Sequence, residues 1–211
     1  MTGSANFKSD VARRSMLLAG ASLSIPAWVG AQTATPKKSA TAKRSKPMTA
    51  AEEAEVARAV ADNIADQTGD PPHPAIGTSL KIPNKFKLFD GQDFSESQAS
   101  GKLLLIYYWA SWCPVCKVVS PRLHDFWQKN RSKGVEVLTL STDIEVHPAF
   151  AYIQQRGYKF PTSMAAAAKL GEVMAPRSLP TLMVRSKRGV IVSVDEGEID
   201  ADEFKDFLVH L

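Results

Sequence analysis

The chain reads as an α/β protein: a central mixed sheet flanked by helices, preceded by an N-terminal signal segment, a linker and one extra helix. Three observations carry that reading. Lys102-Leu103-Leu104-Leu105-Ile106-Tyr107-Tyr108-Trp109 is almost continuously apolar, as a central strand covered on both faces must be. The next segment, Pro114 to about Asn130, has helical spacing through Val118, Leu123, Phe126 and Trp127. A second strand, Val135 to Leu140, and a second helix from about His147 to Arg156 repeat the alternation and imply a parallel crossover. Pro148 falls near that helix's first turn, where its missing donor costs nothing.

The flanking elements follow from turn and cap chemistry. Phe86-Lys87-Leu88-Phe89 and Asp93-Phe94 read as short strands around the tight turn Asp90-Gly91. Downstream, Lys169 to Met174 reads as a short helical piece. Thr181–Arg185 and Val190–Val194 form a hairpin around Lys187-Arg188-Gly189, and Asp200 opens a terminal helix through Phe204, Leu208 and Val209. Upstream, Thr49-Ala50-Ala51-Glu52 has the form of a capping box, so a helix is expected to run to about Asp66. Its apolar positions Val56, Val60 and Ile64 make a narrow stripe, which predicts loose packing on the main domain, with a partner-binding arm as the alternative. Gly69-Asp70-Pro71-Pro72-His73-Pro74 then stops the helix as an extended connector.

The N-terminus has the features of an export signal. Arg13-Arg14 precede an apolar, small-residue stretch from Ser15 to Val29, and Val29-Gly30-Ala31 suits cleavage after about Ala31. Pro26 interrupts the stretch, which is shorter than the roughly 20 residues a membrane span needs, so removal is favoured over an uncleaved anchor. Arg13-Arg14-Ser15-Met16-Leu17-Leu18 also resembles a twin-arginine signal; the export route stays open. The expected organisation is a signal peptide over residues 1–31, a basic linker with one helix and a Pro-rich connector over 32–74, and the main domain over 75–211. The expected compartment is the bacterial periplasm.

Of the 26 basic side chains eight fall in residues 1–48, against one of the 22 acidic ones. Residues 49–211 therefore hold 18 basic and 21 acidic groups, and the formal +4 of the chain belongs to its leader and linker. A nucleic-acid role loses its main support.

The two cysteines, Cys113 and Cys116, stand three apart at a helix start, immediately after a buried strand. Unpaired N–H groups and the positive dipole end of a first turn favour a thiolate at Cys113. Cys113 would open a client disulfide, and Cys116, one turn deeper, would close the internal one. The same pair is half of a zinc site, but His73, His124, His147 and His210 show no ligand spacing, and four ligands are needed. No resident metal or cofactor is called for. A dithiol that handles Cu(I) is the alternative, with Met174 and Met183 flanking the later proline loop as candidate thioether ligands.

Trp109-Ala110-Ser111-Trp112-Cys113-Pro114-Val115-Cys116 resembles the active-site signature of thioredoxins, and more closely that of the periplasmic TlpA/ResA branch. Gly101-Lys102, Pro121, Phe160-Pro161 and Leu179-Pro180-Thr181 match that branch in order and spacing, so the resemblance spans roughly residues 75–210. It implies a thioredoxin fold and thiol-disulfide exchange with cysteines of exported proteins, more in the reducing direction, for cytochrome or metal-site assembly or redox homeostasis. It also implies a membrane-bound redox partner. The resemblance makes Pro180 a cis proline beside the cysteine pair, gives Leu179 backbone groups to a client chain, and puts Trp112 and Pro114 at the client interface. Arg177 and Ser178 are weaker candidates. Oligomeric state, client and potential are left open.

Two positions depart from the branch. Tyr107 stands where thioredoxins carry a buried aspartate, and Val119 where the branch often carries a glutamate. Both usual proton-handling carboxylates are thus replaced, and slower or more oxidant-dependent exchange is expected. Tyr107 is read as a packing residue, Lys117 as solvated and His124 as lying away from the sulfurs.

Overall fold

The computed structural model describes residues 47–211; the expected signal segment and residues 32–46 of the linker lie outside the described residues. Helix α1 (Ala50–Thr68) leads into strands β1 (Phe86–Lys87) and β2 (Asp93–Phe94), helix α2 (Glu96–Ala99), strand β3 (Leu103–Trp109) and helix α3 (Pro114–Asn130). Strand β4 (Val135–Ser141), helix α4 (Val146–Arg156), strand β5 (Thr162–Met164) and helix α5 (Ala165–Ala168) follow. The hairpin of β6 (Thr181–Arg185) and β7 (Ile191–Glu196) precedes α6 (Glu203–Asp206) and a closing 3₁₀ turn.

The main sheet has the order β5-β4-β3-β6-β7. β3 runs parallel to β4 and antiparallel to β6, which is the mixed sheet expected. All seven β3 residues are buried, because both faces are covered. Alternation sends Leu103, Leu105, Tyr107 and Trp109 into a cluster with Val119, Leu123, Phe126 and Trp127 of α3. Leu104, Ile106 and Tyr108 face the other way, against Phe86, Phe94, Ala99 and Met183.

Buried polar groups lock the periphery to this sheet. Arg185, 3% exposed, donates from Nε to the Leu80 carbonyl at 2.7 Å, from Nη1 to that of Ala99 at 3.2 Å, and pairs through Nη2 with Glu96 at 2.6 Å. One guanidinium fork thereby holds both the incoming chain and α2.

The capping box at Thr49 and Glu52 forms as expected, and α1 runs two residues past its expected end. Its packing differs from expectation. Glu53, Ala57 and Ala61 form the buried stripe, while Val56, Val60 and Ile64 are 52–55% exposed. Three contacts select the alanine face. Glu53 receives hydrogen bonds from Ser186 Oγ at 2.6 Å and from Arg188, and Arg58 donates to the Gly77 carbonyl at 2.5 Å. At Gly77 (φ +73°) a Cβ would lie 2.7 Å from the Ala54 carbonyl, so the helix and connector touch backbone to backbone.

Two other expectations are corrected. Residues 169–174 are not one helical piece: α5 ends at Ala168, Lys169 turns left-handed (φ 47°), and a 3₁₀ turn occupies Glu172–Met174. The terminal helix is a four-residue α segment continued as 3₁₀. β5 and α2 had no periodic apolar signal and were not foreseen. β5 exists because Thr139, Leu140 and Ser141 offer a parallel edge to Thr162, Ser163 and Met164.

Candidate active site

Strand β3 delivers the cysteine motif. Its last residue, Trp109, is followed by a short loop and then by α3, whose N-cap is Cys113 and whose first residue is Pro114. Proline fits there because the position has no helical acceptor for an N–H. Cys113 and Cys116 are joined, with S–S 2.23 Å and Cα–Cα 5.3 Å. The Cys116 N–H, one of the free donors of the first turn, points at Cys113 Sγ at 3.1 Å. That donor and the helix dipole lie where a Cys113 thiolate would be stabilised once the bond is reduced. Cys113 is 3% and Cys116 1% exposed, while the neighbouring Trp112 is 66% exposed.

The opposite wall is the loop entering β6. Thr181 pairs with Tyr108, so Pro180 lies level with Trp109 at the end of β3 where the motif begins. The Leu179–Pro180 peptide bond is cis, and the Pro180 carbonyl accepts from the Gly197 N–H at 2.9 Å. Pro180 is buried and Leu179 half-buried. The fold thus brings Trp112, Cys113, Pro114, Cys116, Leu179 and Pro180 to one end of the sheet.

Tyr107 and Val119 occupy the two positions where the resemblance implied a carboxylate. Tyr107 is fully buried, and its hydroxyl lies 3.4 Å from both the Cys116 carbonyl and Ser120 Oγ. Burial pushes its phenol well above the ordinary tyrosine range, so it stays protonated near neutrality. Val119 is fully buried in the same cluster as Cys116. His124 packs against Tyr158 and Phe160, and its Nε2 accepts from the Lys159 N–H at 3.2 Å. Lys117 is exposed on the first turn.

Two groups at this end were missed in the sequence. Asp143, two residues past β4, accepts from the Ser111 N–H at 2.9 Å, Ser111 Oγ at 2.7 Å and Ser141 Oγ at 2.6 Å. With the Thr142 N–H bonded to the Trp109 carbonyl at 2.8 Å, it fixes the loop that presents Cys113. The run Ser141-Thr142-Asp143, at the end of a parallel neighbour of the motif strand, was the available signal. The second group is His73, which accepts from the Ala75 N–H at Nδ1 and so donates from Nε2 to the Ala175 carbonyl, both at 3.1 Å. Arg177 donates to the Pro71 and Pro72 carbonyls at 2.9 and 2.7 Å. The connector after α1 is thereby tied to the loop that enters Pro180. Met174 and Met183 are not brought to the cysteines: both belong to the cluster on the opposite sheet face. Among the described residues no three His, Cys, Asp or Glu side chains converge as a metal site.

Comparison with known proteins agrees with this geometry. Residues 101–191 match a thioredoxin-like family profile. The thiol-disulfide oxidoreductase ResA of Bacillus thuringiensis is 25% identical over 119 residues, covering 56% of this chain and 69% of its own length. The sporulation thiol-disulfide oxidoreductase A of Bacillus subtilis is 23% identical over 124 residues, covering 57% and 74%. A thioredoxin-family thiol:disulfide interchange protein from Chlorobium tepidum shares the fold, with a TM-score of 0.57 at 20% identity over 62% of this chain and 94% of its own. Fold and cysteine pair together define a thiol-disulfide oxidoreductase of the thioredoxin-like class. Within that class the relatives that it resembles in sequence include ResA and the sporulation oxidoreductase A.

Proposed function

We propose that the protein reduces disulfides in exported proteins of the periplasm, with Cys113 as attacking and Cys116 as resolving sulfur. The observation that carries this is the cysteine pair at the α3 N-terminus, level in register with the Pro180 loop. Trp112, Pro114, Leu179 and Pro180 supply the client contact, Leu179 through backbone groups in the manner of an added strand. The signal segment over 1–31, the extension over 32–74 and the exchange domain over 75–211 belong to the same reading.

The chemistry is a two-electron exchange. The Cys113 thiolate attacks one sulfur of a client disulfide; that bond breaks, a mixed disulfide forms, and the client's other sulfur leaves as thiolate and takes a proton from water. The Cys116 thiolate then attacks Cys113 Sγ. The client departs with both its cysteines reduced, and the pair, two electrons poorer, is again the internal disulfide. A membrane-bound dithiol partner returns the electrons, since an oxidising compartment offers no other steady source. With Tyr107 held protonated and Val119 apolar, water carries the proton to and from Cys116.

The test is the reduction potential of the Cys113/Cys116 couple, measured against glutathione. A value near about −270 mV supports a reductase, and one near about −120 mV overturns the direction in favour of an oxidant.

A further inference from the structure

Helix α1 is built the wrong way round for a helix that only packs. Its alanines face inward and its large apolar side chains, Val56, Val60 and Ile64, face out. They form one wall of a groove of about 840 Å³ whose other wall is strand β7, with Val192 and Val194. That volume suits a bound ligand segment rather than a packing defect.

One end of the groove lies beside the loop that enters Pro180. β7 runs toward the same end as β3, since both are antiparallel to β6. Its last residue, Glu196, lines the groove, lies 3.4 Å from Ser178 Oγ and precedes Gly197, which bonds the Pro180 carbonyl. Arg177 also lines that mouth, while its guanidinium holds the connector carbonyls. A chain lying along Ser178 to Pro180 would therefore reach that end of the groove.

Charge and length describe the occupant. Residues 49–76 carry six acidic side chains against Arg58 alone. Asp70, Asp195 and Glu196 line the groove, where Arg177 is the one permanent cation among the described residues. From Val56 to Ile64 the stripe spans about 12 Å at 1.5 Å per residue, or about four residues of extended chain. Resting on the proposed exchange at Cys113, we infer that this groove docks the client itself: a segment of about four apolar residues with flanking Lys or Arg, in the same polypeptide as the cysteine being exchanged. The α1 extension, outside the part matched by the family profile, then sets which clients are chosen.

The test uses the full chain, returned to the dithiol by a thiol reductant whose uncatalysed rate is subtracted, and two peptides, each with one cysteine capped by glutathione. One carries an apolar tetrapeptide followed by two lysines beside the cysteine; the other has Ser, Gly and Asn there. Wild type is expected to turn over the apolar-basic peptide with a KM at least tenfold lower and a similar kcat. The triple variant Val56→Gln, Val60→Gln, Ile64→Gln, at exposed positions where Gln suits a helix better than Val, is expected to bring the two KM values within twofold and leave the control peptide unchanged. Equal KM values in wild type, or a preference that survives the triple variant, overturns the inference. So does a triple variant that changes only oligomeric state, since the face would then bind a second copy. Binding of a Cys→Ser apolar-basic peptide, followed by indole fluorescence, separates the two readings. Binding that depends on Val60 without turnover of either peptide keeps the groove and overturns the exchange reading; turnover without groove-dependent binding does the reverse.

Discussion

Replacing Asp143 with alanine tests how the fold holds Cys113 in place. The carboxylate accepts three hydrogen bonds, from the Ser111 N–H, Ser111 Oγ and Ser141 Oγ, at 2.9, 2.7 and 2.6 Å. A hydrogen bond to a charged group contributes about 1.5–3 kcal/mol, but bonds sharing one acceptor do not add in full. Ser111 is half-buried and its hydroxyl can turn to water; the Ser141 hydroxyl, at 1% exposure, cannot. The expected loss is therefore about 3 kcal/mol, or about 6–12 °C in Tm for a domain of this size. Asp143→Asn keeps one acceptor oxygen but turns a donor toward other donors, and about half that loss is expected. Urea unfolding of the oxidised protein, with the slope unchanged, measures both. Because the same bonds fix the Trp109-to-Cys113 loop, kcat/KM for a peptide disulfide should fall at least tenfold in Asp143→Ala. An alanine variant within about 0.5 kcal/mol of wild type, or one with unchanged exchange, would refute the positioning role.

Further outcomes follow from the same contacts. Cys116→Ser should accumulate the mixed disulfide at Cys113, visible as a mass adduct, whereas Cys113→Ser should form none; an adduct on Cys116 would reverse their roles. Tyr107→Phe should leave exchange within about twofold, because burial keeps the phenol protonated and its hydrogen bonds are long; a tenfold fall in stopped-flow rate would make Tyr107 the proton carrier. Arg185→Met should cost about 3–5 kcal/mol, since it strands the Glu96 carboxylate and two carbonyls; a smaller shift in the urea midpoint would mean that water replaces the guanidinium. Burial holds His73, His124 and His210 below the usual histidine range. The unfolded chain then takes up protons first as pH falls through about 6.5, so stability is full above that value and declines below it, toward the lower folded pKa values. Asp195, which burial pushes upward, acts in the opposite sense, so the pH scan is best repeated in Asp195→Asn. A midpoint that rises on acidification in that variant would contradict the sign.

The pattern of the chain carried most of the fold for a local reason. β3 is apolar throughout because both its faces are covered, and α3 announces itself by its spacing and by Pro114 after the N-cap. The cysteine pair was legible because its chemistry needs two sulfurs one turn apart at a helix start. β5 and α2 were not legible, since a three-residue strand and a four-residue helix are held by neighbours rather than by their own periodicity. Asp143 and His73 escaped for a related reason: their partners, Ser111 and Ala175, are 32 and 102 residues away in the chain.

Composition, spacing and the Trp112-to-Cys116 motif by themselves pointed to the α/β class and the redox pair, and the family resemblance implied that Tyr107 and Val119 replace the usual carboxylates. The face that α1 turns inward was decided only by tertiary structure. Periodicity ranks side chains by hydrophobicity and so pointed Val56, Val60 and Ile64 at the core. The folded protein buries Ala57 and Ala61 instead, because the Glu53 ion pair and the backbone contact at Gly77 leave room only for small residues.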